Sequence, residues 1–455
     1  MRPRPPLPPG PFLVVGLARS GSAAALALRR RGAEVIGVDA GSATACSELR
    51  RAGVEVHAGE AGVALLERAG SVVKSPGVPA QAPVIAQARA RGLPVVGELE
   101  LGWRMLDNEF VAVTGTNGKT TTAELIGHVH RVARLPVAVA GNVGAAVSGL
   151  VDELAEEVTV VCEASSFQLE DTAHFAPEAA VFVNLAPDHL DRHQTFESYV
   201  GAKLQVFARQ QAGDIAVMSD VLLPAEDGGP QGAERLVGEA LRKSPATCVS
   251  FGEREASDLR LAEGELRWRE VRLMAVDELR LRGRHNVENA MAAAAVCLAR
   301  GVEAQAVREG LRSFAGVAHR LEEVAARDGV SFVNDSKATN VASTLVALEA
   351  YTGAPVHLIL GGQCKGQDFT ALAAGVGRCC RAVYLIGEDA QAIAAALAGA
   401  DVPLHASGSL ERAVRQAVRA AAAGDVVLLS PACASFDQFE DFEARGDRFR
   451  ELAQG

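Results

Sequence analysis

Short runs of apolar, β-prone residues recur along the chain, most of them followed by a turn and then by an Ala/Leu-rich stretch of helical period. Early runs cover residues 12–16, 34–38 and 72–73. Later ones cover residues 110–113, 137–140, 158–162 and 179–183, and the last set covers 330–334, 356–360, 382–386 and 426–429. A strand that is apolar on both faces belongs in a parallel sheet covered by helices. Strand and helix in alternation therefore predict an α/β fold along most of the chain. Residues 220–282 break the rhythm: short strands at 258–261, 266–268 and 271–275, separated by charged turns, predict an antiparallel flank. Residues 98–108 form a polar, helix-like connector, and Phe314-Ala-Gly316 reads as a hinge. These seams divide the chain into residues 1–97, 98–316 and 317–455.

Composition narrows the class. A chain of 455 residues suits about three domains. With 49% apolar and 22% charged residues it has the balance of a soluble globular protein. A net charge of −11 argues against a nucleic-acid partner. The apolar stretch at residues 12–18 is cut by Arg19, too short for a membrane span and better read as a strand than as a signal peptide. Eight scattered cysteines with no Cys-x-x-Cys pair are expected to be reduced thiols of a cytoplasmic protein.

The candidate chemistry begins at Val113-Thr-Gly115-Thr116-Asn117-Gly118-Lys119-Thr120-Thr121. Strand, glycine turn, Lys-Thr and helix make a phosphate cradle, in which backbone amides, the helix N-terminus and Lys119 face an anion and a threonine hydroxyl can hold Mg²⁺. The glycine usually found two residues before Gly115 is Val113, so this is a shorter variant. Downstream, a strand ends in Glu163, where a Mg²⁺-associated carboxylate belongs, or where a helix cap would stand. His189 and His193 have helical metal-pair spacing but no following Glu or third ligand, which disfavours zinc. Local pattern gives Lys203 no standing above a surface lysine. Asn286 and Asn289 share a helix face and suit either a purine edge or an N-cap. In the first βαβ unit, Gly16-x-Ala18-x-x-Gly21 lacks the middle glycine of a dinucleotide loop, and Asp39 ends the second strand. A nucleotide half-site and an unliganded packing unit both remain open there. Strand ends in the last third gather Arg320, Lys337, Lys365 and hydroxyls, which suit a small anionic substrate.

Gly115-Thr-Asn-Gly-Lys-Thr-Thr, Glu163-Ala-Ser-Ser-Phe-Gln-Leu-Glu, Asn184-x-x-x-Asp188-His189-x-Asp191-Arg192, Gly283-x-His285-Asn286-x-x-Asn289 and His319-Arg320-Leu-Glu resemble the Mur ligase family, in family order. The resemblance runs from Val14 to Phe449, and Asn334-Asp-Ser-Lys-Ala-Thr-Asn with Ser430-Pro-Ala-Cys-Ala-Ser-Phe-Asp narrows it within the family. It implies three domains: a Rossmann-like N-terminal domain that binds a UDP-sugar, a central P-loop ATPase-like domain, and a C-terminal Rossmann-like domain that binds an amino acid. It also implies a monomeric, ATP- and Mg²⁺-dependent amide ligase. Such an enzyme would activate UDP-N-acetylmuramoyl-L-alanine as an acyl phosphate and let the D-glutamate amine attack it, in peptidoglycan precursor synthesis.

Carried over by resemblance, Lys119 meets the phosphates, and Thr120 with Glu163 holds one Mg²⁺. His189 and a carbamylated Lys203 would hold another, which reverses the surface-lysine assignment. Asn286, Asn289, Arg320 and Asp335 fall at ATP positions. Arg19, Ser20, Gly21, Asp39, Ser75 and Asn142 fall at UDP-sugar positions, and Lys337, Thr339, Lys365, Ser435, Phe436 and Phe442 at D-glutamate positions. The alternatives are another Mur-type or folylpolyglutamate-type ligase, an NAD(P)-dependent oxidoreductase built on the first domain, and a P-loop regulator.

Overall fold

The computed structural model describes residues 2–41, 46–59, 61–223, 232–281, 283–363 and 367–455. Three sheets organise them. The first holds β1 (Phe12–Val15), β2 (Val35–Asp39), β3 (Glu55–Ala58), β4 (Ser71–Lys74) and β5 (Val95–Gly97), all parallel, in the order β3-β2-β1-β4-β5. This is the doubly wound pattern, with its switch point beside β1. β1 and β4 are wholly buried because helices cover both faces, so their residues could all be apolar without cost.

The second sheet holds β6 (Phe110–Thr114), β7 (Val137–Gly141), β8 (Thr159–Glu163), β9 (Ala179–Phe182), β10 (Ile215–Ser219), β11 (Thr247–Gly252), β12 (Leu259–Ala262), β13 (Glu265–Trp268) and β14 (Val271–Ala275). Its order is β14-β13-β12-β11-β10-β9-β6-β8-β7, parallel except where β12, β13 and β14 form the antiparallel flank. One apolar cluster runs from Val14 and Leu28 through Leu99 and Trp103 to Phe110 and Phe182. The two sheets accordingly share one compact unit, Met1–Leu279 with His285–Phe314. The connector helix Glu98–Met105 is polar in sequence yet buried. Glu100 accepts hydrogen bonds from the amides of Ala173, His174 and Phe175, which is what makes burial of its charge tolerable.

The second compact unit, Arg280–Arg284 with Ala315–Gly455, carries the third sheet. Its strands are β15 (Glu322–Arg327), β16 (Val330–Asn334), β17 (Val356–Gly361), β18 (Cys380–Ile386), β19 (Leu404–Gly408) and β20 (Val426–Leu429). They run in the order β15-β16-β20-β17-β18-β19, and only β15 is antiparallel. Sequence patterning misses β3, β5, β10, β11, β15 and β19. β3, β15 and β19 lie at sheet edges with polar, partly exposed residues, so they lack the apolar run of a central strand. β10 and β11, by contrast, are inner strands beside the antiparallel flank that the pattern passed over. Among the described residues no helix is long and apolar enough to cross a membrane. Cys162, Cys248, Cys297, Cys379 and Cys380 are free, whereas Cys433 is disulfide-bonded, so the expectation of eight reduced thiols fails there. Cysteine spacing says nothing about which thiols the fold brings together.

Candidate active site

The centre of the site follows from strand register. β6 and β8 are parallel neighbours with Val113 opposite Glu163, so the glycine loop leaving β6 emerges beside that carboxylate. Gly115 has φ +152° and Gly118 φ +78°; the second is a left-handed conformation that suits glycine at the entry to the helix Lys119–Val132. That helix has no side-chain cap and no acid in its first turn, which leaves its leading amides to an anion. The exit of β9 props the loop from the other side. Asn184 Oδ1 accepts from the Asn117 amide (2.9 Å), and Thr116 Oγ1 donates to the Ala186 carbonyl (3.0 Å). Lys119 Nζ curls back onto the carbonyls of Gly115 (3.1 Å) and Thr116 (2.8 Å). Thr121, the next hydroxyl but one, completes the motif at the start of the helix.

Thr120 Oγ1 donates to Glu163 Oε2 at 2.6 Å, and Asn142 Nδ2 donates to Glu163 Oε1 at 3.0 Å. Asn142 in turn offers its carbonyl to the Arg19 guanidinium (3.0 Å), so a polar chain runs from the first sheet to the phosphate loop. The helix-cap alternative for Glu163 fails. Ser165 caps the helix Ser166–Leu169, in a reciprocal box with Gln168. A hydroxyl and a carboxylate are hard oxygen donors, and their juxtaposition fits Mg²⁺.

Lys203 is 1% exposed, on the helix Phe196–Leu204. Its Nζ donates to the Gly115 carbonyl (2.6 Å) and lies 4.6 Å from the centre of the Tyr199 ring. Burial, helped by the nearby Lys119 charge, pushes its pKa down to about 6. It is therefore a neutral amine at neutral pH. A neutral amine does not repel a cation as an ammonium would, and it is the form that can react with CO₂. His189 is half-exposed, with φ +52°, and packs on Phe167 (4.8 Å) and Tyr199 (6.4 Å between ring centres). Tyr199 was not singled out from sequence, although it stands one helical turn before Lys203. It shares a hydrogen bond with Thr116 Oγ1 (3.1 Å) and joins the lysine, the histidine and the loop.

Asn286 and Asn289 sit inside the helix Arg284–Ala299 and are buried. Asn289 Oδ1 accepts from Thr122 Oγ1 (3.4 Å), and a Cβ added to Gly118 would lie 2.0 Å from it. Asn289 is thus brought against the phosphate loop and donates from Nδ2 to Asn286 Oδ1 (3.3 Å); both lie inside the helix and not at its cap.

Around β1, Ser75 Oγ donates to the Gly16 carbonyl (2.7 Å), and a Cβ on Gly21 would sit 1.8 Å from that same oxygen. Only glycine fits at position 21. Asp39 accepts from the amides of Leu17 (2.6 Å) and Gly41 (2.9 Å), so both carboxylate oxygens already order the turn. Arg19 and Ser20 open the helix that follows. Arg19, Ser20, Gly21, Asp39 and Ser75 lie at or just past the carboxyl ends of β1, β2 and β4, and Asn142 reaches them through Arg19.

In the second unit, Asp335 follows β16 and Ser430 follows the neighbouring β20, again by parallel register. Ser430 Oγ donates to Asp335 Oδ2 (2.8 Å) and the Leu321 amide to Oδ1 (3.2 Å). Burial outweighs these bonds and raises the Asp335 pKa to about 7, with Arg320 close enough to act the other way. Lys337 Nζ stands 3.8 Å over the Phe442 ring, and the Thr339 carbonyl accepts from Gln367 Nε2 (3.4 Å). Ser435 is buried, whereas Phe436 is 63% exposed and does not join Phe442 in a packed pocket. Lys365 lies outside the described residues. Arg445, passed over in the sequence, is 1% exposed and donates to Ser336 Oγ (2.9 Å) and to the carbonyls of Ser336 (2.8 Å) and Cys433 (3.1 Å). It ties the loops after β16 and β20 together. Its position three residues after Phe442 was the available signal.

Three α/β sheets with a glycine–lysine–threonine loop and an acid from the adjacent strand define a multidomain P-loop protein. The Mur ligase MurD-like N-terminal domain matches residues 11–97, the Mur ligase middle domain residues 113–297, and the Mur ligase glutamate ligase domain residues 319–433. The UDP-N-acetylmuramoylalanine–D-glutamate ligase of Acidobacterium capsulatum is 44% identical, over 97% of this chain and 95% of that protein. Those of Solibacter usitatus and Salinibacter ruber are 42% and 43% identical, over 97% of both chains in each case. Among solved structures, UDP-N-acetylmuramate-alanine ligase MurC of Thermotoga maritima has a TM-score of 0.60 at 21% identity, over 97% of this chain and 99% of that one. MurF ligase of Thermotoga maritima, in complex with ADP, has a TM-score of 0.57 at 18% identity, over 92% and 94%. Those two structures share the fold. The chain belongs to the Mur ligase family.

Proposed function

We propose that this chain is an ATP-dependent ligase that joins D-glutamate to the L-alanyl carboxylate of UDP-N-acetylmuramoyl-L-alanine in the cytoplasm. Residues 1–97 would take the UDP-sugar, 98–316 the ATP and 317–455 the amino acid. The carrying observation is the Thr120–Glu163 pair beside the Gly115–Thr121 loop, in a chain 44% identical over 97% of its length to a ligase of that name. A bare carboxylate oxygen is a poor leaving group. Transfer of the γ-phosphoryl group to it gives an acyl phosphate, which the amine displaces with release of phosphate.

The chain's own groups suit each task. Loop amides and Lys119 bind and orient the phosphates, Asn289 supports the loop from behind, and Asn286 and Asn289 stand at ATP positions of the resemblance. Thr120 and Glu163 would hold one Mg²⁺, and His189 with Lys203, once carbamylated, a second. When bound, Mg²⁺ offsets charge on the phosphoryl group. Arg320 and Asp335 stand at positions that the resemblance gives to ATP. Lys337, a cation beside Phe442, would face the D-glutamate carboxylates, together with Thr339, Ser435, Phe436 and Lys365. Arg19, Ser20, Gly21, Ser75 and Asn142 would meet the UDP-sugar, with Asp39 holding the turn. Ala18, in place of the middle glycine that lets the backbone approach a pyrophosphate, counts against the oxidoreductase alternative.

The test is phosphate release from ATP with a panel of amino acids. Release is expected only when UDP-N-acetylmuramoyl-L-alanine and D-glutamate are both present. Release with L-glutamate and a folate, or with another amino acid in place of D-glutamate, overturns the assignment.

A further inference from the structure

A column of packed side chains leads away from Lys203, and its far end has no role in the scheme above. Arg192 is largely buried and reaches into three places. Its Nη1 donates to the Pro76 carbonyl (2.7 Å), and its Nη2 to the Val78 carbonyl (3.3 Å) and to Glu170 Oε1 (2.7 Å). Its guanidinium carbon lies 4.0 Å from the centre of the Phe167 ring. Phe167 in turn contacts His189 (4.8 Å) and His193 (5.5 Å), both of which meet Tyr199. Glu170 also stands 3.6 Å from the buried Lys74 at the end of β4 and 3.8 Å from His193 Nδ1.

We propose that Arg192 is a positioning residue for the ligation: through Phe167 it sets the orientation of His189, and it ties the Ser75–Val78 turn to that histidine. The proposal rests on the assignment of His189 to the metal side of the site. His189 is half-exposed on a left-handed backbone, so burial does not hold its imidazole; the Phe167 and Tyr199 rings do, together with Asp188, whose Oδ2 lies 3.5 Å from Nε2. Phe167 can hold it only while its own ring is held, and a planar guanidinium laid on that ring does this better than an aliphatic side chain. The same guanidinium grips two carbonyls in the turn just after Ser75. A shift of that turn on sugar binding is therefore transmitted to Phe167 and His189 through one side chain. Substitution of a group that orients a ligand without touching the metal weakens metal binding about 10–100-fold in general.

The experiment reads Mn²⁺ binding by electron paramagnetic resonance, in bicarbonate buffer with a non-hydrolysable ATP analogue, and compares it with steady-state kinetics. Wild type is expected to bind two equivalents. Arg192→Ala and Phe167→Leu should each weaken the second equivalent about tenfold and spare the first. The double variant should be no weaker than Arg192→Ala, because the two act in series. Arg192→Ala should also raise the KM for the UDP-sugar, whereas Phe167→Leu should not, since only the arginine grips the turn. Should Arg192→Ala not fold, Phe167→Leu decides, by the same Mn²⁺ readout. His189→Ala separates the two levels. If it weakens the second equivalent while Arg192→Ala and Phe167→Leu leave it unchanged, the positioning role is overturned alone. If His189→Ala also changes nothing, the assignment of His189 falls with it. A raised KM without any change in Mn²⁺ binding likewise overturns the proposal.

Discussion

Replacing Lys203 by methionine should make the protein more stable and inactive at once. The amine is buried against Gly115 and Tyr199, and its pKa falls from 10.5 to about 6. Between those values the unfolded chain binds a proton that the fold does not, so wild-type stability rises with pH through that window and levels off below it. At about pH 7.5 the shortfall spans about three pH units, or about 4 kcal/mol, and at about pH 9.5 about 1 kcal/mol. Methionine has similar length and no charge to desolvate. It loses the hydrogen bond to the Gly115 carbonyl, worth about 1 kcal/mol. Lys203→Met should therefore gain about 3 kcal/mol at about pH 7.5 and about nothing at about pH 9.5. Denaturant unfolding in CO₂-free buffer, followed by the fluorescence of buried Trp103, measures the difference. The variant should release no phosphate, and short carboxylates should restore part of the activity of Lys203→Ala. A gap between variant and wild type that is absent at the lower pH, or equal at both, refutes the desolvation argument. Full activity in Lys203→Met refutes the carbamate role.

Glu163→Gln keeps the shape of the side chain that Thr120 and Asn142 contact but removes its charge. Its kcat/KM should fall at least about a hundredfold, as measured by phosphate release, with little change in Tm. Gly118→Ala forces a Cβ to 2.0 Å from Asn289 Oδ1 at φ +78°, so it should cost about 1–2 kcal/mol of stability and raise the KM for ATP. Unchanged nucleotide affinity would show that Asn289 and the loop are not coupled. Asp335 has its pKa raised to about 7, so between its unfolded value and about 7 the fold keeps a proton the unfolded chain releases. Stability of the C-terminal unit should fall as pH rises through that window and be flat above it. Asp335→Asn should abolish the slope in a pH series of thermal unfolding curves.

Local sequence determined what local geometry can encode. Apolar runs marked the central strands because a strand covered on both faces has no polar side to show. Gly115 to Thr121 was legible as a phosphate cradle because a strand, a left-handed glycine and a helix start are consecutive in the chain. Resemblance to a family then assigned distant residues to shared sites, without a physical reason for their meeting. The tertiary structure supplies that reason. Parallel register sets Glu163 beside Thr120, and the same rule sets Asp335 beside Ser430. Lys203 looks like a surface lysine in its own helix, and only packing against Gly115 and Tyr199 turns it into a neutral amine. Tyr199 and Arg445 were silent for the same cause, and Arg192 stood in a family motif without any role legible from it. A side chain's type and spacing describe its near neighbours, whereas desolvation, stacking and hydrogen bonding depend on segments more than a hundred residues away.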